Sequence, residues 1–205
     1  MLEAINLGCI RGTRRLFKDL NFSAAPGQLI EIRGTNGSGK TSLLRILCGL
    51  AQPAEGEVRW NGKSIRSMGE EYFAEISYVA HQNGVKDELT AVENLRIAGG
   101  ISGKAVAQQD AQDMLAHFGL DRERHLPARF LSAGQRRRVA LARLRASPAR
   151  LWILDEVLAS LDTAAIELSS QFISEHLSNG GIAIMATHQD LNISPAATQR
   201  LEITT

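Results

Sequence analysis

The segment GTNGSGKT at residues 34–41 carries the most specific chemical signal in the sequence. It fits the pattern G-x-x-x-x-G-K-[ST] and lies between the strand-like segment LIEI and the apolar helical segment TSLLRILCGL. Glycines in this pattern let successive backbone N–H groups point at phosphate oxygens, and the helix N-terminus adds the positive end of its dipole. Lys40 can reach the β and γ phosphates, and the Thr41 hydroxyl can coordinate Mg²⁺. The segment therefore predicts a site for a nucleoside triphosphate.

A pair of acidic residues ends the segment LWILDE at residues 151–156. A buried strand would deliver Asp155 to its carboxyl end, where ligands collect in open α/β sheets and where Asp155 can hold a Mg²⁺-bound water. Glu156 is then free to orient or deprotonate an attacking water, a role that contributes roughly 10²- to 10⁴-fold in rate. An acidic pair after a strand is by itself more typical of the start of a helix. The hydrolytic interpretation therefore depends on its combination with residues 34–41.

Two further polar residues follow strand-like segments, Gln82 after ISYVA and His188 after IAIMAT. His188 can sense or stabilise the γ phosphate if its strand lies beside the strand that ends at Asp155. Gln82 can ligate Mg²⁺ or a water molecule through its amide oxygen. The alternatives are a structural histidine and an exposed loop glutamine, and the residues alone leave both open.

The strand-like segments predict an α/β core. LWILD and IAIMAT are nearly unbroken hydrophobic runs, as expected of parallel strands that are covered on both faces. The N-terminal region predicts strands near residues 2–7 and 28–33 and a hairpin that turns at Asn61 and Gly62. Glu31 and Arg33 alternate with apolar residues in the strand before residues 34–41, which predicts that the outer face of this strand is partly exposed.

Between residues 81 and 132 the pattern becomes helical. Thr90 and Glu93 have the spacing of a capping box, and a later helix runs up to Gly119. The helix GQRRRVALARLRAS stops before Pro148, which a helix interior would not tolerate. This section predicts a helical subdomain inserted into the α/β core.

The composition fits one globular domain and argues against several classes of function. A chain of 205 residues with 44% hydrophobic content can bury one substantial core, and a net charge of +1 gives no global electrostatic basis for binding nucleic acid. The arginine run at residues 136–138 is then a local feature, typical of a solvated helix face. Cys9 and Cys48 form no CxxC pair, and no segment has the pattern of a secretory signal or of a membrane span. Any association with a membrane is expected to come through a partner.

The motifs together resemble those of the ABC-type ATPases, over essentially the whole chain. The order found in that family is GTNGSGKT, Gln82, LSAGQ at residues 131–135, LWILDE, SLD at residues 160–162 and His188. The resemblance implies an α/β ABC-type P-loop NTPase fold with a parallel-sheet core, an N-terminal antiparallel β subdomain and an inserted helical subdomain. It implies a single ABC ATPase domain over residues 1–205, with the nucleotide-binding core and β subdomain at 1–81 and 149–205 and the helical and signature subdomain at 82–148.

The resemblance also implies a role for each motif, with ATP and Mg²⁺ as the cofactors. LSAGQ corresponds to the signature motif, which acts in trans on ATP held by a second protomer, and Asp162 has the position of the D-loop that helps to join the two sites. The implied ATP-binding residues are Gly34, Thr35, Asn36, Gly37, Ser38, Gly39, Lys40, Thr41 and Ser42. The implied catalytic residues are Glu156, His188 and Gln82, and the signature residues are Ser132, Ala133, Gly134 and Gln135. The implied ligands of Mg²⁺ are Thr41, Gln82 and, through a water, Asp155.

The sequence departs from the family pattern at three points. Ala133 replaces the usual second glycine of the signature motif, and Val157 stands where most members carry proline. The aromatic residue that normally stacks on adenine is missing, and its nearest substitutes are Ile10 and Arg11. Arg11 can stack through its guanidinium plane, although weak base selectivity is the simpler expectation.

Within the family, two segments resemble the ATPase subunits of haem exporters in cytochrome c maturation systems: HQNGVKDELTAVENL at residues 81–95 and LSAGQRRRVALARL at residues 131–144. This resemblance implies a haem-transporting translocase that hydrolyses ATP to ADP and phosphate. It implies a head-to-tail homodimer, bound peripherally to integral membrane subunits of that system at the cytoplasmic face of the bacterial inner membrane, with no nucleic acid partner. Two alternatives stay open, namely an ATPase subunit for another cargo and a soluble ABC ATPase without a transporter.

Overall fold

The structure, a computed structural model, describes residues 1–203 and has two β-sheets with helices packed against them. In chain order the elements are β1 (Leu2–Arg11), β2 (Arg14–Ala24), β3 (Leu29–Arg33), α1 (Lys40–Leu47), β4 (Glu55–Trp60), β5 (Lys63–Ser64), α2 (Ile65–Met68), α3 (Glu70–Glu75), β6 (Ile76–Val79), α4 (Ala91–Ile101), α5 (Gln108–His117), α6 (Ala133–Arg145), β7 (Leu151–Asp155), α7 (Thr163–Ser178), β8 (Ile182–Ala186) and β9 (Thr198–Glu202). Short 3₁₀ turns lie at Ala128–Phe130 and Pro195–Ala197.

The N-terminal sheet is antiparallel and has the strand order β2-β1-β4-β5. The predicted hairpin joins β4 to β5, with Trp60 opposite Lys63. Asn61 and Gly62 both have positive φ, 49° and 78°, as a two-residue type I′ turn requires. The hairpin is therefore confirmed, whereas the sequence did not predict the long strand β2.

The second sheet is entirely parallel and has the strand order β6-β7-β8-β3-β9. Every residue of β7 and of β8 is buried, which confirms the interpretation of LWILD and IAIMA as strands covered on both faces. Because all five strands run the same way, their carboxyl ends meet at one edge of the sheet. The residues that follow β3, β6, β7 and β8 are therefore brought to that edge together.

A hydrophobic core lies on each face of the parallel sheet. Ile153 and Ile184 point into a cluster formed with α1 and the antiparallel sheet. Leu154 and Met185 point into a second cluster formed with α4, α5, α6 and α7. Adjacent residues of one strand thus pack into opposite cores, as the alternation of side chains in a strand requires. Among residues 1–203, no helix is long and apolar enough to cross a membrane.

The prediction that the outer face of β3 is partly exposed holds at Arg33 but is wrong at Glu31. Glu31 is only 2% exposed, because the unpredicted strand β9 pairs with β3 and places Arg200 opposite Glu31. The side chains of Arg33 and Arg200 both lie against the Glu31 carboxylate, at 3.2 and 3.1 Å. A buried carboxylate is tolerated when such partners compensate for its lost hydration. The sequence pattern missed this arrangement because β9 is short and largely polar.

The helical section has the elements that the sequence predicts. Thr90 and Glu93 form a complete capping box at the start of α4. The helix predicted before Gly119 is α5, and α6 ends at Arg145, three residues before Pro148. The helices α4, α5 and α6 pack on one another through buried leucine, valine and alanine side chains.

Two neighbouring glycines of α4 offer a matched test of this packing. A Cβ atom at Gly99 would lie 2.4 Å from Val106 Cγ2 and 2.6 Å from the Lys104 carbonyl oxygen, whereas one at Gly100 would meet open space. We expect Gly99→Ala to lower the free energy of unfolding by about 1–3 kcal/mol through overpacking. Gly100→Ala should raise it by about 0.5–1 kcal/mol, since alanine favours the helix. Urea unfolding of both variants checks this, and equal effects would contradict the packing described.

Candidate active site

Residues 34–39 form a tight loop that connects β3 to α1. Gly34, Gly37 and Gly39 have φ values of 150°, 80° and 109°, which residues other than glycine rarely adopt. At Gly34 a Cβ atom would also lie 2.7 Å from Ser38 Oγ and 2.9 Å from the Ile203 carbonyl oxygen. The loop therefore needs glycine at this position both for its backbone conformation and for its space.

The Lys40 ammonium group lies inside this loop. Lys40 is only 6% exposed, and its Nζ donates to the carbonyl oxygens of Gly34 and Thr35, at 2.8 and 3.2 Å. These neutral carbonyls leave the positive charge without an anion in contact. A phosphate at the mouth of the loop would supply that anion and accept a charge-assisted hydrogen bond.

An open cavity of about 480 Å³ lies against the loop, within the size range of small-molecule sites. Its lining includes most of the sequence-predicted phosphate-binding residues. Gly34, Thr35 and Ser38 are not among the lining residues; Ser38 is 2% exposed, and its Oγ has no hydrogen-bond partner among the described residues. The residues that line the cavity are Arg11, Leu16, Asn36, Gly37, Gly39, Lys40, Thr41, Ser42 and Glu156. The structure thus brings Glu156 to the loop and also places Arg11 there.

Asp155, the last residue of β7, reaches the same edge of the sheet. Its Oδ1 accepts a hydrogen bond from Thr41 Oγ1 at 3.3 Å. Its Oδ2 is buried and accepts no hydrogen bond from the described residues. Burial raises the pKa of Asp155, and the hydrogen bond from Thr41 opposes that shift. The Thr41 hydroxyl oxygen and the Asp155 carboxylate, which has one buried oxygen without a hydrogen bond from the described residues, suit a hard cation or its bound water.

Glu156 lies between two histidines. His188 Nε2 is 3.9 Å from Glu156 Oε1, and His81 Nδ1 is 4.0 Å from Glu156 Oε2. Glu156 has a positive φ of 52° and its N–H donates to the Ala186 carbonyl oxygen at 2.9 Å, so the chain turns sharply after β7. This conformation aims the carboxylate at the edge where the loop and the two histidines meet.

Sequence reasoning identified His188 but missed His81. His81 follows β6, which pairs with β7, so it arrives beside the residue that follows β7. The sequence signal that could have found His81 was its position one residue before Gln82. The order of the strands brings this loop to the same edge of the parallel sheet as Glu156. Gln82 itself is exposed and lines a different cavity of about 230 Å³, together with Asn83, Ile101 and Arg143. In this structure Gln82 is not among the residues that line the cavity at residues 34–42.

The signature segment forms the N-terminus of α6. Ser132 Oγ accepts from the Gln135 N–H at 3.1 Å, and the Ser132 N–H donates to Gln135 Oε1 at 2.8 Å, which completes a capping box. A Cβ atom at Gly134 would lie 3.1 Å from the Ser160 carbonyl oxygen, and Asp162 caps α7 by accepting from the Ala165 N–H. Ala133 is exposed, whereas Val157 is fully buried. None of residues 132–135 lines the cavity at residues 34–42.

The arginine run of α6 is used within the fold. Arg136 pairs with Asp87 at 3.3 Å, and Arg138 donates to the Phe118 carbonyl oxygen at 3.0 Å. Arg137 is only 6% exposed and donates to the Ala80 carbonyl oxygen at 3.3 Å. Burial lowers the pKa of the Arg137 guanidinium. These contacts hold loops against α6, so the expectation of a solvated helix face for residues 136–138 is wrong at Arg137.

Comparisons with known proteins agree with this geometry. A family model described as ABC transporter matches residues 17–159. The cytochrome c biogenesis ATP-binding export protein CcmA of Nitrosospira multiformis is 54% identical over 203 residues, which cover 99% of this chain and 98% of that protein. The protein of the same name from Nitrosomonas europaea is 51% identical over 201 residues, 98% of this chain and 94% of that protein.

A solved structure with the same fold is the ATP-binding cassette MJ0796, in a dimeric post-hydrolysis state bound to ADP and Pi. It has a TM-score of 0.84 and 24% sequence identity, and the match covers 100% of this chain and 97% of that chain. Fold, loop and family match together define an ATP-hydrolysing ABC-type ATPase, which confirms the predicted fold class. The chain belongs to the CcmA family of cytochrome c biogenesis ATP-binding export proteins.

Replacement of Lys40 tests the nucleotide site directly. We expect Lys40→Met to weaken ATP binding by about 10- to 100-fold, the effect of losing one charge-assisted hydrogen bond. Lys63→Met, an exposed position in β5 outside the cavity, is the matched control and should bind as the wild type does. Titration with a fluorescent ATP analogue measures both affinities. Equal binding by Lys40→Met and wild type would rule out the assigned phosphate site.

Proposed function

We infer that this protein is the ATP-hydrolysing subunit of a cytochrome c biogenesis export system and couples ATP-driven closure of a dimer to haem handling by membrane subunits. The observation that carries the ATPase chemistry is the meeting of the loop at residues 34–39 and the start of α1 with the Thr41 and Asp155 pair and Glu156 at one sheet edge. The names of the full-length relatives support the assignment to cytochrome c biogenesis.

The phosphates of ATP bind to the backbone N–H groups of residues 36–41 and to Lys40. Thr41 Oγ1 and, through a water, Asp155 would hold Mg²⁺, an assignment supported by the buried Oδ2 of Asp155, which accepts no hydrogen bond from the described residues. When bound, the cation would supply positive charge beside the phosphates. Gln82 is a further ligand only if its loop moves toward the cavity, since it lines a separate cavity in this structure.

Glu156 acts as the general base. Its carboxylate accepts a proton from the water that attacks the γ phosphate, and ADP leaves as the bond between the β and γ groups breaks. His188 lies 3.9 Å from Glu156 and stabilises the γ phosphate through its imidazole. Arg11 lines the cavity and takes the place of the missing aromatic residue beside adenine.

The active form is a head-to-tail homodimer. Residues 132–135 act on ATP bound by the other protomer, as their match to the signature motif of the family implies, with Asp162 near the contact between the two sites. Their absence from the cavity lining of their own chain is compatible with this role. The helix N-terminus behind Ser132 favours an anion through its dipole. The dimeric cassette with ADP and Pi supports this arrangement by analogy of fold.

We expect Glu156→Gln to bind ATP with nearly wild-type affinity and to lose about 10²- to 10⁴-fold in turnover, because the amide cannot accept the proton. The variant should also accumulate as an ATP-dependent dimer, detectable by size-exclusion chromatography with light scattering. Glu70→Gln, at an exposed position of α3, is the control and should retain normal turnover. Undiminished hydrolysis by Glu156→Gln would overturn the assigned base.

The membrane subunit docks on the helical section. We divide the chain into a helical and signature subdomain at residues 82–148 and a nucleotide-binding core at residues 1–81 and 149–205. The groove between α4 and the loop at residues 80–84 includes Ile101, whose residue surface is 82% exposed, next to Gln82 and Arg143. A cytoplasmic helix of the membrane partner fills this groove and holds the protein peripherally at the cytoplasmic face of the inner membrane.

Ile101→Glu tests the docking groove. The substitution places a charge in an apolar contact and should abolish recovery of the membrane subunit with tagged protein from gently solubilised membranes, while leaving basal ATP hydrolysis intact. Gln171→Glu adds the same charge at an exposed position of α7 and should not impair recovery. Mass spectrometry of the recovered material identifies the partner. Recovery of a permease of another kind would leave the ATPase assignment in place and show that the cargo is not haem. Recovery of no membrane protein with the wild type would favour a soluble ABC ATPase.

A further inference from the structure

We propose that Arg33 is a positioning residue that fixes the turn carrying His188 to the phosphate-binding loop. The inference rests on the proposed function, in which His188 and residues 34–42 act on the same ATP. Arg33 is the last residue of β3, and Gly34 of the loop follows it directly. Its side chain crosses the edge of the sheet to the turn that begins after β8.

The contacts of the Arg33 guanidinium join two segments of the chain, β3 and the turn after β8. Nη2 donates to the carbonyl oxygen of Gln189 at 3.2 Å and to Asp190 Oδ1 at 2.9 Å. The same nitrogen donates to Glu31 Oε2 at 3.2 Å, within its own strand. Because Gln189 is the neighbour of His188, the hydrogen bond to its carbonyl acts on the backbone beside the histidine itself.

The backbone on both sides of this contact is also held. The Arg33 carbonyl oxygen accepts from the Ile203 N–H at 2.9 Å, and the next carbonyl along the chain, that of Gly34, accepts from Lys40. On the other side, the Gln189 N–H donates to Thr187 Oγ1 at 3.0 Å, which closes a turn around His188. Arg33 therefore adds a side-chain connection, just beyond the paired residues Ile32 and Ala186, between two segments that are each ordered locally.

The buried carboxylate of Glu31 keeps the Arg33 guanidinium in place. Glu31 is 2% exposed and also contacts Arg200 Nε at 3.1 Å, while Arg200 Nη2 lies 3.5 Å from Asp190 Oδ1. Arg200 touches both carboxylates but has no hydrogen bond to the Gln189 carbonyl. The two arginines thus have nearly the same charged neighbours, Glu31 and Asp190. They differ in the hydrogen bond to the Gln189 carbonyl oxygen, which Arg33 makes and Arg200 does not, so Arg200 is a close internal control.

The experiment compares Arg33→Leu with Arg200→Gln in the full chain, using steady-state ATP hydrolysis. We expect Arg33→Leu to lower kcat about tenfold or more through misplacement of His188, with KM for ATP changed by no more than about twofold. Arg200→Gln should retain the wild-type kcat. Arg33→Lys should recover part of the lost rate, since an ammonium group can still donate to the Gln189 carbonyl and to Asp190.

A purely structural role predicts a different pattern. It would make Arg33→Leu and Arg200→Gln lower the thermal unfolding midpoint alike and leave kcat of the folded fraction unchanged, and that result would overturn the proposal. If Arg33→Leu does not fold, Asp190→Ala serves instead, because this side chain is 84% exposed and its loss does not disturb the core. We expect Asp190→Ala to lower kcat about threefold, against no change for the exposed control Asp19→Ala, and equal rates for the two would overturn the proposal.

Glu156→Gln in the same assay separates this inference from the proposed function. If Glu156→Gln loses turnover and Arg33→Leu does not, the positioning role of Arg33 fails and the ATPase assignment stands. If Glu156→Gln hydrolyses ATP normally, the assigned chemistry of the site fails whatever Arg33→Leu does.

Discussion

The lateral register of the parallel strands is the constraint on which the active site depends. Ala186 at the end of β8 lies opposite Asp155 of β7 and opposite Ile32 of β3. The residues just beyond this row are Arg33, Glu156 and Thr187, so the phosphate loop, the proposed base and the histidine turn all leave the sheet at the same level. A slip of one residue in either pairing would turn every side chain of that strand to the other face and separate these groups. Both faces of β7 and β8 are buried, so such a slip would force both hydrophobic cores to repack, which costs free energy. This cost keeps the residues of the site at the same level.

Much of the site could be predicted from the sequence, because its key residues lie within short motifs. The glycines and Lys40 are specified by the geometry of one loop, and Asp155 and Glu156 follow a recognisable buried strand. His81 and Arg33 were not predicted in their roles, since their neighbours come from strands that are distant in sequence. The order β6-β7-β8-β3-β9 brings His81 to Glu156 and Arg200 to Glu31, and a single sequence does not reveal that order. The partial exposure predicted for β3 failed at Glu31 for the same reason.

The arginines of α6 connect the proposed docking groove to the signature helix. Arg137 donates to the Ala80 carbonyl oxygen, and Arg143 donates to the Gly84 carbonyl oxygen at 2.6 Å. The loop at residues 80–84 is therefore attached to α6 at both of its ends, and burial of Arg143 lowers the pKa of its guanidinium. His81 in this loop also lies against Glu156, so the loop contacts both the signature helix and the proposed base.

The capping box at the start of α6 has a consequence for how nucleotide is sensed. In the single chain, the N–H groups of Ser132 and Gln135 are already occupied by each other's side chains. A helix start that satisfies its own donors attracts stray anions less than one with all its first donors free. In the proposed dimer, a phosphate bound by the other protomer competes at this helix with the Ser132 and Gln135 side chains. A phosphate compound free in solution meets the same competition without the close placement that a second protomer supplies, so we expect the capping box to disfavour its binding at this helix.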